Sequence, residues 1–317
     1  MTKSYLLIRM VGRDGQVDKV QDKPTSGLSP FKSSLYRMLW VGALFSYVGA
    51  AMYDVGASWL MTSLAPNPLF VSLITTATAL PILLFALPSG ILSDLFDRRT
   101  ILLIASAYMF TISAVLGILT FVGLTTTTVL LIFTFALGAG TTMIRTPIIP
   151  TMTGLVSRRE LPDALTLSAL ASNLGRVIGP IVGGFIVSAY APWAVFFVNS
   201  ASFIVMMIVL SRLPRRPDAP NNQKQSSLPP ENIIRAIRIQ IRYIRYSQAA
   251  HVLIIRAGLF TLCSSALLSL LPLLAKRDLG LDSIGYGLLL GSFGIGAIIG
   301  GIVILPWLRS KASVESL

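Results

Sequence analysis

Eight stretches of this chain are too long and too apolar to fold in water. They run Met38–Met61, Leu69–Leu92, Ile101–Val122, Thr127–Ile144, Ser172–Tyr190, Ala194–Leu213, Val252–Ala275 and Ile284–Leu308. A helix that crosses a bilayer needs about 20 mostly apolar residues, and each stretch qualifies or comes close. Only 12% of the 317 residues are charged, against about 25% in an average soluble domain. The sequence therefore predicts an all-α membrane protein. Turn formers join some spans directly: Ala65-Pro66-Asn67-Pro68 between the first two, Ala191-Pro192 between the fifth and sixth.

The net charge of +13 looks at first like a nucleic-acid signal. Its distribution gives another account. Lys3, Arg9, Arg13, Lys19, Lys23, Lys32 and Arg37 precede the first span. Arg98 and Arg99 lie in the 2–3 loop, and Arg158 and Arg159 in the 4–5 loop. Arg212, Arg215, Arg216, Lys224, Arg235, Arg238, Arg242 and Arg245 fill the 6–7 connection, and Arg309 and Lys311 follow the eighth span. The opposite side holds Lys276 and Arg277 alone. Lys and Arg are retained on the cytoplasmic side of a membrane. The pattern predicts a multi-pass protein with both termini cytoplasmic, and it needs no nucleic-acid partner. Residues 1–37 have no apolar core before a small-residue cleavage site, so they are not a signal peptide.

Four parts follow: a cytoplasmic tail over 1–37, a six-helix bundle over 38–213, a cytoplasmic linker over 214–248 and two further helices over 249–317. In the linker, Ile233, Ile234, Ile237, Ile241 and Ile244 recur at helical spacing with arginines between them. That pattern predicts a basic amphipathic helix on an anionic leaflet. Its structural alternative is a plain tie between the two parts.

Several motifs resemble the major facilitator superfamily. The 2–3 loop reads Gly90-Ile91-Leu92-Ser93-Asp94-Leu95-Phe96-Asp97-Arg98-Arg99, similar to the G-x-L-x-D-x-x-G-R-R signature. Asp97 stands where many members have Gly. Gly90 is expected to permit close helix approach, and Asp94, Arg98 and Arg99 to form a charge network that stabilises one of two conformations. The fifth span contains Gly175, Arg176, Gly179, Pro180, Gly183 and Gly184. Their spacing resembles the G-x-x-x-G-P-x-x-G-G motif of proton-coupled exporters, with glycines every four residues for close packing and a helix-bending proline. Leu155–Leu165 with Asn173, Met52-Tyr53-Asp54-Val55 with Trp59, and Leu271-Pro272-Leu273 look like the transmembrane secretion effector branch, which contains the enterobactin exporter and macrolide efflux proteins. The resemblance covers about residues 35–311. It implies a major facilitator fold, with a six-helix N-terminal bundle and the first two helices of the second bundle. It further implies a bacterial inner-membrane location and proton-coupled efflux of an amphipathic small molecule, drug-like or a siderophore, by alternating access. No cofactor is implied. Family members carry about twelve helices, so the chain is expected to be C-terminally incomplete. A fragment or scaffold that needs a partner chain is the alternative.

Charges within the spans are functional candidates, because each costs about 2.5–3.5 kcal/mol on insertion scales. Asp54 lies about 22 Å along the first helix from its start, at 1.5 Å rise per residue. Its carboxylate suits a proton carrier, or alternatively a hydrogen-bonded packing group. Arg176 lies about 22 Å from the outer end of the fifth helix. It suits a coupling or structural role, a substrate contact, or a side chain that reaches back to the surface. Arg256 is expected to reach the surface, and Arg145 to end the fourth helix beside Pro147 with no function carried onto it. The glycines of the eighth span are read as close packing, and Trp40, Trp193 and Trp307 as an interfacial belt. Cys263 is expected in a core. One Cys and one His, Cys263 and His251, cannot build a zinc site. No HExxH, GxSxG or Walker loop is present, so the chain is not read as an enzyme.

Overall fold

The computed structural model describes residues 27–213 and 248–300. The linker helix expected over 231–246, most of the N-terminal tail and the end of the eighth span lie outside the described residues. Within them the chain forms α1 (Ser34–Leu64), α2 (Pro68–Leu95), α3 (Arg98–Phe121), α4 (Thr127–Thr153), α5 (Leu161–Tyr190), α6 (Pro192–Arg212), α7 (Gln248–Arg277) and α8 (Ser283–Ile299). Seven of these are long and apolar enough to cross a membrane, and α8 is apolar over its 17 described residues. All eight expected spans are helical where they are described, and no strand occurs among the described residues.

Helix starts follow local chemistry. The side chains of Ser33, Asn67, Asp97, Thr126 and Asp282 each accept from a backbone N–H in the first turn of the helix that follows. Asp97 accepts from Thr100 N at 3.2 Å and from Thr100 Oγ1 at 2.9 Å. A carboxylate in that place therefore has a local structural reason.

Two helices outrun their predicted ends. α4 continues from Ile144 through Pro147 and Pro150 to Thr153, so Arg145 is inside α4 and not at its end. Threonines use carbonyls near the prolines: Thr151 Oγ1 donates to Pro147 O at 2.7 Å and Thr153 Oγ1 to Pro150 O at 3.3 Å. Hydroxyls of this kind help membrane helices tolerate proline. α5 begins at Leu161, not Ser172, because its first turns are amphipathic. Ala164, Leu167 and Ala171 are buried, and Tyr36 Oη and Trp40 Nε1 of α1 donate to the carbonyls of Ala164 and Leu167 at 2.9 and 2.8 Å.

α1 is central. It packs on α5 and α6, while α3 packs on α6 and α4, and α2 on α4. One end of the bundle carries the tight connections, including the single residue Ala191 between α5 and α6. We call it the short-loop end; the other, with Arg37, Arg98, Arg99, Arg158, Arg159 and Arg212, is the basic end. A cluster around Tyr53, Met61, Leu116, Phe196 and Phe203 fills the short-loop half. A second, around Tyr36, Leu39, Leu102, Met206 and Leu210, fills the basic half. Gly49 and Gly56 let α6 approach α1: a Cβ at Gly49 would stand 2.7 Å from Ser202 Oγ, and one at Gly56 would fall on Val195.

Candidate transport cleft

α5 presents three stripes. Gly175, Gly179 and Gly183 lie against Tyr47, Ala51 and Met52 of α1. Val177, Pro180, Ile181 and Gly184 meet α8. Ile178, Val182 and Phe185 are exposed and form the apolar outer side. The motif of the fifth span is thus split between two neighbours. Its every-fourth glycines serve α1, and its last glycine serves α8.

The α5–α8 contact is close. Ser283 Oγ donates to Gly184 O at 3.1 Å, and Gly287 rests on the Pro180 carbonyl. Gly291 meets Ile181, and Gly294 faces the Arg176 carbonyl, from which a Cβ would stand 2.9 Å. Pro180 has no N–H to give that carbonyl, so a Cα–H of α8 approaches an acceptor that α5 leaves open. Ser283, Gly287, Gly291 and Gly294 make one stripe of α8. Gly296 and Gly300 do not share this role: a Cβ at either would meet nothing within 4 Å among the described residues. Close packing accounts for only part of the glycine content expected to serve it.

At the short-loop end α1, α7 and α8 meet. Val55, Ala275 and Tyr286 are buried together, with Trp59, Leu271, Leu281, Leu289 and Leu290 around them. The Trp59 and Tyr286 rings stack with centroids 6.0 Å apart. Lys276 Nζ lies 5.3 Å from the centre of the Trp59 ring and donates to Ser63 Oγ at 2.7 Å. The Ser58 side chain lies beside the Tyr286 hydroxyl. Sequence reasoning missed Tyr286 and treated Lys276 only as a loop charge. Neither has a local signal, because their partners are more than 200 residues away.

Asp54 sits one helical turn from Ser58, on the basic-end side of this contact. Its neighbours Met52, Tyr53 and Val55 are buried, yet Asp54 is exposed. It lies within electrostatic reach of Tyr53 and Tyr286, and Tyr53 Oη is fixed 2.8 Å from Thr134 Oγ1 of α4. Arg176 falls between the α1-facing and α8-facing stripes of α5 and is likewise exposed. Asp54 and Arg176 therefore border one opening between α1, α5 and α8 that closes towards the short-loop end. Their levels differ by about 10 Å, since Arg176 adjoins the Gly175–Tyr47 contact seven residues before Asp54.

Arg99 donates from Nε to Leu210 O at 2.9 Å and from Nη2 to Ser211 O at 2.7 Å, so it fastens the start of α3 to the end of α6. Arg98 is exposed, and the Asp94 side chain lies outside the described residues. A Cβ at Gly90 would meet nothing within 4 Å among the described residues. The close helix approach expected there does not occur among the described residues. Cys263, expected in a core, is exposed on α7, on a stretch that no described helix covers. Among the described residues no group of His, Cys, Asp and Glu could hold a metal ion.

Apolar spanning helices packed around Asp54 and Arg176 define a multi-pass membrane protein of the major facilitator fold. A solved structure of a bacterial homologue of the human lysosomal transporter Spinster, inward-facing and unoccupied, aligns with a TM-score of 0.69 at 15% identity. The alignment covers 89% of this chain and 64% of that one. The chain belongs to the transmembrane secretion effector family, whose description matches residues 25–317. The staphyloferrin A transporter of Staphylococcus aureus is 21% identical over 81% of this chain and 64% of its own length. The enterobactin exporter EntS of Salmonella choleraesuis is 25% identical over 84% and 62%. Macrolide efflux protein A of Streptococcus pyogenes is 21% identical over 84% and 65%. The chain thus spans a little under two thirds of the length of these relatives.

Proposed function

We propose that this chain is the transport unit, or part of it, of a secondary active exporter in a bacterial inner membrane. It exports an amphipathic small molecule, drug-like or a siderophore, against proton entry by alternating access. Both termini lie on the cytoplasmic side, so the basic end faces the cytoplasm and the short-loop end faces out.

The observation that carries the reading is the setting of Asp54. An exposed carboxylate among buried neighbours borders the cleft one turn below the α1–α8 contact at Ser58 and Tyr286. A carboxylate whose surroundings change as that contact opens and closes changes its proton affinity, which is what exchange of a proton for substrate requires. The α5 motif supplies the moving surface: small residues against α1 and α8 allow α8 to slide or rock with little steric resistance. The relatives support the direction of transport and the amphipathic character of the cargo, since they handle staphyloferrin A, enterobactin and macrolides.

The test is efflux of enterobactin and of erythromycin from cells producing the protein, before and after a protonophore collapses the gradient. Gradient-dependent export of either compound that Asp54→Asn abolishes is the expected result. Export that survives the protonophore, or that persists with its proton dependence in Asp54→Asn, overturns the reading.

A further inference from the structure

We infer that Arg145, Arg176 and Tyr47 form an anion site on the cleft wall, which holds a carboxylate or similar acidic head group of the cargo. The inference deepens the exporter reading and rests on it for the word cargo, but its geometry stands independently.

Three helices bring these residues to one level of the bundle. Gly175 of α5 touches the main chain of Tyr47 in α1: a Cβ there would stand 2.7 Å from Tyr47 Cβ and 3.0 Å from its carbonyl carbon. Arg176 follows directly, on the part of α5 that turns to the cleft. On α4, Thr134, Thr141, Arg145, Ile148 and Met152 share one stripe at helical spacing. Thr134 bonds Tyr53, and Ile148 and Met152 join the α1 cluster of Tyr36 and Leu39, so the stripe faces α1. Arg145 lies within electrostatic reach of the Tyr47 hydroxyl.

Their partners are missing from the described residues. Arg145 and Arg176 are exposed while much of each one's stripe is buried. Neither guanidinium makes an ion pair or hydrogen bond there, and the half-buried Tyr47 hydroxyl makes none. Asp54 stands about 10 Å further along α1, too far to pair with both. Two like charges at one level of a membrane-spanning bundle, one of them within electrostatic reach of the Tyr47 hydroxyl, repel each other and carry the insertion cost of intramembrane arginine. A single carboxylate between them removes both penalties. Guanidinium groups match that ligand in shape, with paired donors, and Tyr47 adds a third donor. The ligand class is therefore an amphipathic monoanion or polyanion, its apolar part lying along the cleft wall.

The test uses two fluorescent probes of equal shape, dansyl-leucine and dansyl-leucine amide, titrated into the purified 317-residue chain in neutral detergent. Charge-assisted hydrogen bonds contribute enough that the acid is expected to bind about tenfold more tightly than the amide. Arg145→Gln with Arg176→Gln removes this preference, the two lysine variants keep part of it, and Arg256→Gln on α7 leaves it intact. Equal affinities in the unaltered chain, no saturable binding of the acid, or a preference that survives the double glutamine variant overturns the site. Should the glutamine variants not fold, phenylglyoxal labelling read by mass spectrometry decides. Protection of Arg145 and Arg176 by the acid, and not by the amide, supports the site, and equal labelling overturns it. Binding is measured without a gradient. Loss of proton-driven export with the preference intact therefore refutes proton coupling and leaves the site standing.

Discussion

Gly287 of α8 rests on the main-chain carbonyl of Pro180 in α5, with no room between them for a Cβ. A larger residue must push the helices apart or force the carbonyl aside. Overpacking of this kind typically costs about 1–3 kcal/mol. Gly287→Leu is expected to lower the melting midpoint of the detergent-purified chain, followed by loss of its monodisperse size-exclusion peak. Gly296→Leu, about two and a half turns along, where a Cβ would meet nothing within 4 Å among the described residues, should leave the midpoint unchanged. Equal effects from the two substitutions would show that the α5–α8 contact is not where α8 is held.

The eight helices were legible because lipid exposure demands long apolar runs, and nothing else in this composition produces them. Their ends were less so. Apolar counting stops at Ile144, because Arg145, Pro147 and Pro150 interrupt it, yet threonines let α4 continue. It also misses the first turns of α5, whose buried face of Ala164, Leu167 and Ala171 is too narrow to dominate a window average. The glycines of the α5 motif were visible at four-residue spacing, but their division between α1 and α8 needed coordinates. Asp54 and Arg176 stood out as charges in apolar helices. Arg145 takes no function from the sequence, because it departs there from the pattern that the chain otherwise resembles, and Tyr47 carries no signal at all.

The link from Lys276 to α1 is polar and local to the short-loop end. Its ammonium group donates to Ser63 Oγ at 2.7 Å and sits over the Trp59 ring. A cation over an aromatic face contributes about 0.5–1 kcal/mol at an exposed site, enough to bias an equilibrium between closed and open ends. Lys276→Met should raise deuterium uptake at the ends of α1 and α7, over residues 60–67 and 272–282, and Lys276→Arg should largely restore protection. Uptake confined to the loop 278–282 in both variants would mean that Lys276 does not tie the two helices.

Arg99 separates a clamp from a switch. Two of its donors are committed to the last carbonyls of α6, a place where cations also favour the helix dipole. Hydrogen bonds from charged groups contribute about 1.5–3 kcal/mol each when well formed, and partial exposure reduces that here. Arg99→Gln is expected to lower the melting midpoint, whereas Arg98→Gln, an exposed neighbour without such bonds, should not. A midpoint unchanged by Arg99→Gln would return the loop to a purely conformational role.

Ala191 joins α5 to α6 with φ 85° and ψ 168°. Glycine alone occupies that region without cost; other residues lose about 1–3 kcal/mol there. The geometry is imposed from both sides. The Ala191 N–H still closes the last turn of α5 on Val187 O at 3.0 Å, and Pro192 bars its predecessor from the α region. Ala191→Gly relieves the Cβ clash but adds backbone entropy to the unfolded chain, about 0.5–1 kcal/mol. The net expectation is stabilisation of roughly 1 kcal/mol, read as a higher melting midpoint, with Ala191→Val lower than the unaltered chain. A lower midpoint for the glycine variant would mean that the short-loop end relaxes around Ala191 and that the turn stores no strain.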